Sequence, residues 1–298
     1  MQETSGLSAI ASQPVRTADT PGTVRVYAVI RATVEEAWAA LTQRELVGRW
    51  FGDLSESLQP GGAHRLDFGD GDSFEIFDVA LDPPFRLFYR WRFLGTGPSD
   101  MIVWKIEPDR DGCRVCVTDS EPARSAEAVN ELTEGWTDFL ERLRGYFATG
   151  QSTRYEWRRD FDGSIEMDLE APQAFQILFR AANRRNWLPW WGGAIASGST
   201  VAMLDGARPT RFRIDRPASD DLLTVRIALS CPEWLGPTHC TIAVQRRGAA
   251  ALLTVSHRGW EAISGDENQQ MAQRRRFAAL WVAALRRAER LAGRTRSR

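Results

Sequence analysis

Three histidines, four cysteines and a run of aspartates are the side chains in this 298-residue chain whose types could support chemistry. His64, His239 and His257 titrate closest to neutral pH, so an acid–base mechanism would have to place one of them in a cavity beside a partner. His64 follows Pro60, Gly61, Gly62 and Ala63 and shares a face, by strand parity, with Leu66 and Phe68; it either lines a pocket or is a satisfied structural histidine. Cys113 and Cys116 have CxxC spacing, but the run around them alternates like a strand, so they point to opposite faces and would not converge on one metal. Cys231 and Cys240 supply no second pair, and four cysteines are too few for a disulfide framework in a chain this long. Asp67, Asp70 and Asp72 in DFGDGDSF could suggest calcium, yet the later glutamate of a calcium loop is missing and the segment reads as a hairpin tip. No GxSxG, HExxH, phosphate-loop or dinucleotide fingerprint occurs. No enzyme-class signature is present, and neither a cofactor nor a metal is expected.

The aromatic residues carry more information. There are 12 tryptophans, and Lys105 is the single lysine among 38 basic residues. On strand parity Leu87, Tyr89, Trp91 and Phe93 share one face, with Phe88, Arg90 and Arg92 on the other. Trp104 lies on a neighbouring run, and Trp136 and Leu140 meet the apolar face from a helix, while Trp38, Trp50 and Phe51 are placed at the mouth. In the second half Trp187, Trp190 and Trp191 occupy the equivalent rim, with Phe277 and Trp281 on the final helix. Large rigid rings either fill a core or stack on a flat, unsaturated ligand at little entropic cost, and the sequence leaves both readings open.

These side chains need a frame. With 43% hydrophobic and 26% charged residues and a net charge of -1, the composition is that of a soluble globular protein, not a collagen-like, disordered or disulfide-scaffold chain. At 298 residues two domains are expected. No apolar run reaches the roughly 18 residues of a membrane-spanning helix, and the first residues lack a basic region followed by an apolar core, so the cytoplasm is the expected location. An internal repeat supports the two-domain reading. The alternating runs VRVYAVIRAT (24–33) and SIEMDLEAP (164–172) each lead into a helical stretch near Trp38 and Phe175, and then into an aromatic turn, GRWFG (48–52) or LPWWGG (188–193). Short alternating runs with turn signals follow in both halves, as in a hairpin meander. Each half then closes with a long amphipathic helix, expected over 125–148 and 266–291. The expected organisation is a tail over 1–21, a domain over 22–150, a link over 151–156, a second domain over 157–293 and a basic tail over 294–298.

The order of elements and several local motifs resemble the helix-grip superfamily of START and Bet v 1 proteins (SRPBCC), in the branch named after the activator of Hsp90 ATPase homologue. The motifs are ATVEEAW (32–38), Trp50 and Phe51, Pro60 to Gly62, Asp82 to Pro84 with Arg86, Leu87, Tyr89 and Trp91, and Gly135 with Trp136. They span nearly all of the first half. The second half lacks the PGG, the DPP and the GW, but keeps Ala171 and Pro172, the aromatic turn, and His257, Gly259 and Trp260, as a divergent copy. The resemblance implies an α+β chain of two tandem helix-grip domains, each a curved antiparallel sheet wrapped around a long C-terminal helix. Such a sheet does not close perfectly on its helix, which leaves an apolar cavity.

Three functions follow as expectations. The first is non-catalytic binding of a hydrophobic, polycyclic natural product for sequestration or self-resistance. Relatives of this branch include the calicheamicin self-sacrifice protein, which yields a backbone glycine hydrogen to an enediyne diradical and is cleaved; a matching glycine here would be Gly95 or Gly97 in GTGPSD. The second is a di-domain polyketide aromatase/cyclase, using Arg65, Tyr89 and His64 to orient a poly-ketone. The third is a co-chaperone or interaction module, with no site to support it. No membrane partner is expected. The arginines of the last helix and tail (Arg274, Arg275, Arg276, Arg286, Arg287, Arg290, Arg294, Arg296, Arg298) read as a solvated helix face, without a nucleic-acid motif beside them.

Overall fold

A computed structural model describes residues 20–155, 158–188, 200–205, 208–215 and 223–296. Trp190, Trp191 and Arg298, most of the expected N-terminal tail, and the second aromatic turn beyond Leu188 lie outside the described residues.

The chain opens with β1 (Thr23–Ile30), whose alternation buries Val24, Val26, Ala28 and Ile30. Thr33 and Glu36 then form a reciprocal cap: the Thr33 hydroxyl accepts from the Glu36 N–H at 3.1 Å, and the Thr33 N–H donates to the Glu36 carboxylate at 2.8 Å. This starts α1 (Val34–Thr42), followed by α2 (Arg44–Trp50). The expected aromatic turn at 48–52 is thus half helix. Gly48, Arg49 and Trp50 complete α2, which turns Trp50 inward, where its indole N–H donates to the Ala40 carbonyl at 2.9 Å.

A meander follows: β2 (Asp53–Leu54), β3 (His64–Asp67), β4 (Ser73–Asp82), β5 (Arg86–Phe93), β6 (Ser99–Asp109) and β7 (Gly112–Ser120). The sheet order is β1-β7-β6-β5-β4-β3-β2, so the first strand pairs with the last, Val26 opposite Val117. The long helix α3 (Ala126–Thr149) starts at a Ser125 cap and ends at Gly150, whose φ of 66° is the left-handed stop that favours glycine. It buries Trp136, Phe139, Leu140 and Leu143 and packs along β1.

The second half repeats the plan with β8 (Phe161–Met167), α4 (Ala171–Phe179), α5 (Ala181–Trp187), β9 (Thr200–Asp205), β10 (Arg208–Asp215), β11 (Thr224–Ser230), β12 (Thr238–Arg247) and β13 (Ala250–Arg258). A 3-10 turn at Trp260–Ala262 and α6 (Glu267–Arg296) complete it. The order is β8-β13-β12-β11-β10-β9, antiparallel throughout, with Leu253 opposite Ile165. The strand expected at 164–172 begins earlier and stops at Met167, because Pro172 occupies the first turn of α4, where a missing N–H costs nothing. Both halves therefore have the α+β helix-grip plan, a curved antiparallel sheet closed by a C-terminal helix.

The described residues form two compact units. The first takes the described residues up to His64, with Ile76–Arg90 and Asp100–Arg154. The second takes Arg65–Glu75, Trp91–Ser99 and the described residues from Tyr155 onward, so it holds the β3–β4 and β5–β6 turns as well as the second sheet. Residues 152–154 are held on the first unit: the Ser152 hydroxyl and the Thr153 N–H both donate to the Arg49 carbonyl at 2.9 Å, and Arg154 pairs with Asp53. Among the described residues, no helix is long and apolar enough to cross a membrane.

Candidate functional site

Strand alternation and the inward stripe of α3 bring Trp50, Phe51, Tyr89, Trp104, Trp136 and Leu140 into the interior of the first unit, each at most 4% exposed. Trp50 stacks on Phe51 at 4.8 Å, Trp104 meets Trp136 edge to face at 5.4 Å, and Phe51 meets Phe139 at 4.6 Å. Offset and edge-to-face contacts of this kind suit ring quadrupoles. Each indole N–H has a polar partner. That of Trp104 donates to the Tyr89 hydroxyl at 3.1 Å, and that of Trp136 to Asp119 at 2.8 Å. Burial pushes the Tyr89 phenol well above its usual range, so it stays neutral. Trp38 is half-buried at the margin, on α1.

Asp119 ends the interior face of β7 and is 1% exposed. Arg124 joins it to Asp100, donating to Asp119 at 2.7 Å and to Asp100 at 3.0 Å. Burial, and then the neighbouring Asp119 charge, push the Asp100 carboxyl up to about 7 against the opposing pull of Arg124. The folded state therefore keeps a proton on Asp100 that the unfolded chain has lost above its ordinary carboxylate pKa. The sign follows: this group favours folding below about pH 4, and the contribution is lost as pH rises towards 7. Asp100→Asn is expected to remove that slope, gaining about 1–2 kcal/mol relative to the parent between pH 5 and pH 8 in urea unfolding. Equal pH dependence in the two proteins would show that Asp100 ionises normally.

The remaining sites expected in the first half divide. His64 is buried, its Nδ1 3.7 Å from Glu56 and its Nε2 3.4 Å from the Gln59 backbone. Arg65 is exposed and pairs with Asp67 at 2.9 Å. Phe68 and Trp91 belong to the second unit, where both meet Phe74, Trp91 by stacking at 3.8 Å.

In the second unit Phe277 and Trp281 from α6 and Trp260 surround His257, all buried. The Trp281 indole N–H donates to His257 Nδ1 at 3.0 Å, which puts the imidazole proton on Nε2, 2.8 Å from the Thr238 hydroxyl. Burial, reinforced by Arg274, holds the His257 pKa well below its usual value, so the ring is a neutral structural link. Trp187 is also fully buried, but its N–H caps the Leu178 carbonyl at 2.9 Å and its ring meets Phe179.

One expectation needs correcting. Arg274, read as part of a solvated basic face, is 0% exposed and makes a bidentate pair with Asp72, both bonds at 2.8 Å. Asp70 and Asp72 are likewise buried: Asp70 accepts from the Asp72 and Arg158 N–H groups, and the Asp70 carbonyl accepts from Arg274. The acidic tip is therefore an ion-pair anchor, because a loop of glycines lets the carboxylates reach a guanidinium 202 positions away. A charge run alone does not distinguish the one inward arginine from its exposed neighbours. Arg294 and Arg296 belong to α6, but their side chains are outside the described set.

A groove of about 770 Å³ in the second unit runs beside this anchor, between the 65–73 turn, Leu94 and α6. Gly69 and Gly71 line it, whereas Gly95 and Gly97 do not. Gly95 has φ +64°, and a Cβ there would come within 2.2 Å of the Glu75 carboxylate; Gly97 is buried near Ser164.

Comparison with known proteins places this geometry. The sequence profile described as Activator of Hsp90 ATPase homolog 1-like protein matches residues 31–148, which is most of the first half. No curated protein matches. Among solved structures, DynU16, a protein in the dynemicin biosynthetic locus, is 34% identical, with 91% of this chain and 99% of DynU16 covered and a TM-score of 0.78. CalU16 from Micromonospora echinospora is 23% identical over 43% of this chain and 77% of its own, with a TM-score of 0.36. MLL2253 from Mesorhizobium loti is 23% identical over 41% and 94%, with a TM-score of 0.38. Matched by the family profile in its first half and aligned with DynU16 almost end to end, the chain belongs to the Activator of Hsp90 ATPase homolog 1-like family of helix-grip proteins.

Proposed function

We propose that this protein is a non-catalytic binder of a hydrophobic, polycyclic natural product of the enediyne kind, acting in sequestration or self-resistance. The observation that carries this reading is the 34% identity over 99% of DynU16, a protein in the dynemicin biosynthetic locus. The aromatic interior of the first unit supports it. Trp50, Phe51, Trp104 and Trp136 offer several ring faces and edges within 4.8–6.2 Å of one another, with Tyr89 and Asp119 as the polar groups that fix an orientation. The α1–α2 segment beside this interior carries half-buried Trp38 and buried Trp50. His257, kept neutral by burial and by the nearby Arg274 charge and bonded to the Trp281 N–H, fits a structural rather than a catalytic role.

The test is a tryptophan-fluorescence titration of the full chain with a panel of polycyclic natural products that includes an enediyne. Saturable quenching by one class, with Kd of about 1–10 µM, is expected, and Trp104→Phe is expected to reduce its amplitude. No response to any class would overturn the reading. Intact-protein mass after exposure to an activated enediyne then separates the two modes. An uncut chain with full quenching means sequestration; cleavage at Gly95 or Gly97 means self-sacrifice.

A further inference from the structure

The groove beside α6 differs from the aromatic interior in both charge and composition. Its apolar lining residues include Leu94, Ala279, Val282 and Ala283. Five arginines line it, Arg65, Arg275, Arg286, Arg287 and Arg290, against one acid, Asp67. That acid is already engaged by Arg65 at 2.9 Å. Arg286 lies 3.3 Å from Glu75, and Arg275 donates to the Gly69 carbonyl, which leaves its charge uncompensated. Among the described residues Arg287 and Arg290, one helical turn apart, have no carboxylate partner. Several uncompensated guanidinium groups lining one groove repel one another, and that repulsion is relieved when an anion enters.

The volume selects the size of the occupant. About 770 Å³ lies within the range of sites for small organic ligands. The residue type selects its chemistry. A guanidinium can grip a carboxylate or sulfonate through two N–H bonds and also lie flat on an aromatic ring, neither of which an ammonium does as well.

We propose that this groove is a second ligand site, for a planar aromatic acid, with Arg287 and Arg290 holding the acidic group and Leu94, Val282 and Ala283 under the apolar body. It is separate from the helix-grip interior of the first unit and does not depend on that interior being occupied. A soluble small molecule fits the groove's size, and the lining combines arginines from the 65–73 turn and α6 with apolar side chains.

The test uses the full chain and two related probes, 1-anilinonaphthalene-8-sulfonate as the planar aromatic acid and neutral N-phenyl-1-naphthylamine as its uncharged counterpart. The sulfonate is expected to bind saturably. Its affinity should fall at least about tenfold in R287Q/R290Q, and should weaken as ionic strength rises from about 0.05 M to about 0.5 M. Binding of the neutral probe is expected to change by less than about twofold in the same variant. R276Q, which removes an exposed charge from the same helix outside the groove lining, should leave both unchanged. Both arginines are at least partly exposed, so the double variant should keep the parental near-ultraviolet circular dichroism spectrum. Sulfonate affinity unchanged in R287Q/R290Q, an equal loss for both probes, or no sulfonate binding by the parent would each overturn the proposal. Failure of the interior reading appears separately, as absent quenching by neutral polycyclic compounds.

Discussion

Replacing Arg274 with methionine is expected to lower the unfolding free energy by about 3–5 kcal/mol, read as a large fall in the urea midpoint. The side chain is 0% exposed. Its two terminal nitrogens bind both Asp72 oxygens, the Asp70 carbonyl and the Asp160 carbonyl, and its guanidinium carbon lies 5.5 Å from the centre of the Phe161 ring. Methionine matches much of the volume but leaves Asp72, 2% exposed, as a buried carboxylate without its counter-charge. Burial already pushes the Asp72 carboxyl upward against the pull of Arg274, so loss of the arginine favours protonation of Asp72 as the partial escape. The double variant R274M/D72L removes both charges and is expected to recover much of the loss, since an apolar pair avoids the desolvation cost. A single variant within about 0.5 kcal/mol of the parent would mean that water reaches the pair.

Truncation of Trp136 to alanine is the second large effect, about 3–5 kcal/mol. This indole is 1% exposed, touches Phe51, Trp104 and Phe139, and satisfies Asp119 through its N–H. Trp136→Phe separates the two contributions. It retains most of the packing and deletes the donor, and is expected to cost about 1–3 kcal/mol because Asp119 remains buried with one bond fewer. A loss in W136F as large as in W136A would show that the hydrogen bond dominates. No loss in W136F would show that Arg124 alone suffices for Asp119.

The fold was legible because its signals are local. Alternation in VRVYAVIRAT and LLTVRIALS, turn residues between runs, and three- and four-residue spacing on the last helix of each half mark elements that do not depend on distant partners. The same periodicity shows that Leu87, Tyr89 and Trp91 share a buried face. Boundaries were less legible where two signals overlap. GRWFG reads as a turn by its glycines, yet α2 continues through Trp50, whose packing outweighs the helical cost of Gly48. The start of β8 was hidden because Asp162 and Gly163 do not look like strand residues, although pairing with Ser256 and Val255 holds them in register.

The candidate sites divide along the same line. By itself the sequence determined the repeated order of strands and helices in the two halves, their aromatic content and the presence of a basic final helix, since periodicity and residue type are written locally; the resemblance to a known family supplied the helix-grip plan. Only the tertiary structure decided that Arg274 faces inward while Arg275 and Arg276 face out, and that the expected hairpin tip buries Asp70 and Asp72, with Asp72 gripping Arg274. It alone paired His257 with Trp281 and brought Arg287 and Arg290 to one groove with Leu94 and Val282. The physical reason is common to all of these. Charge, protonation and ligand chemistry depend on what lies within about 4 Å in space, and each of these partners is distant in sequence or set by which side of a helix faces the neighbouring turn.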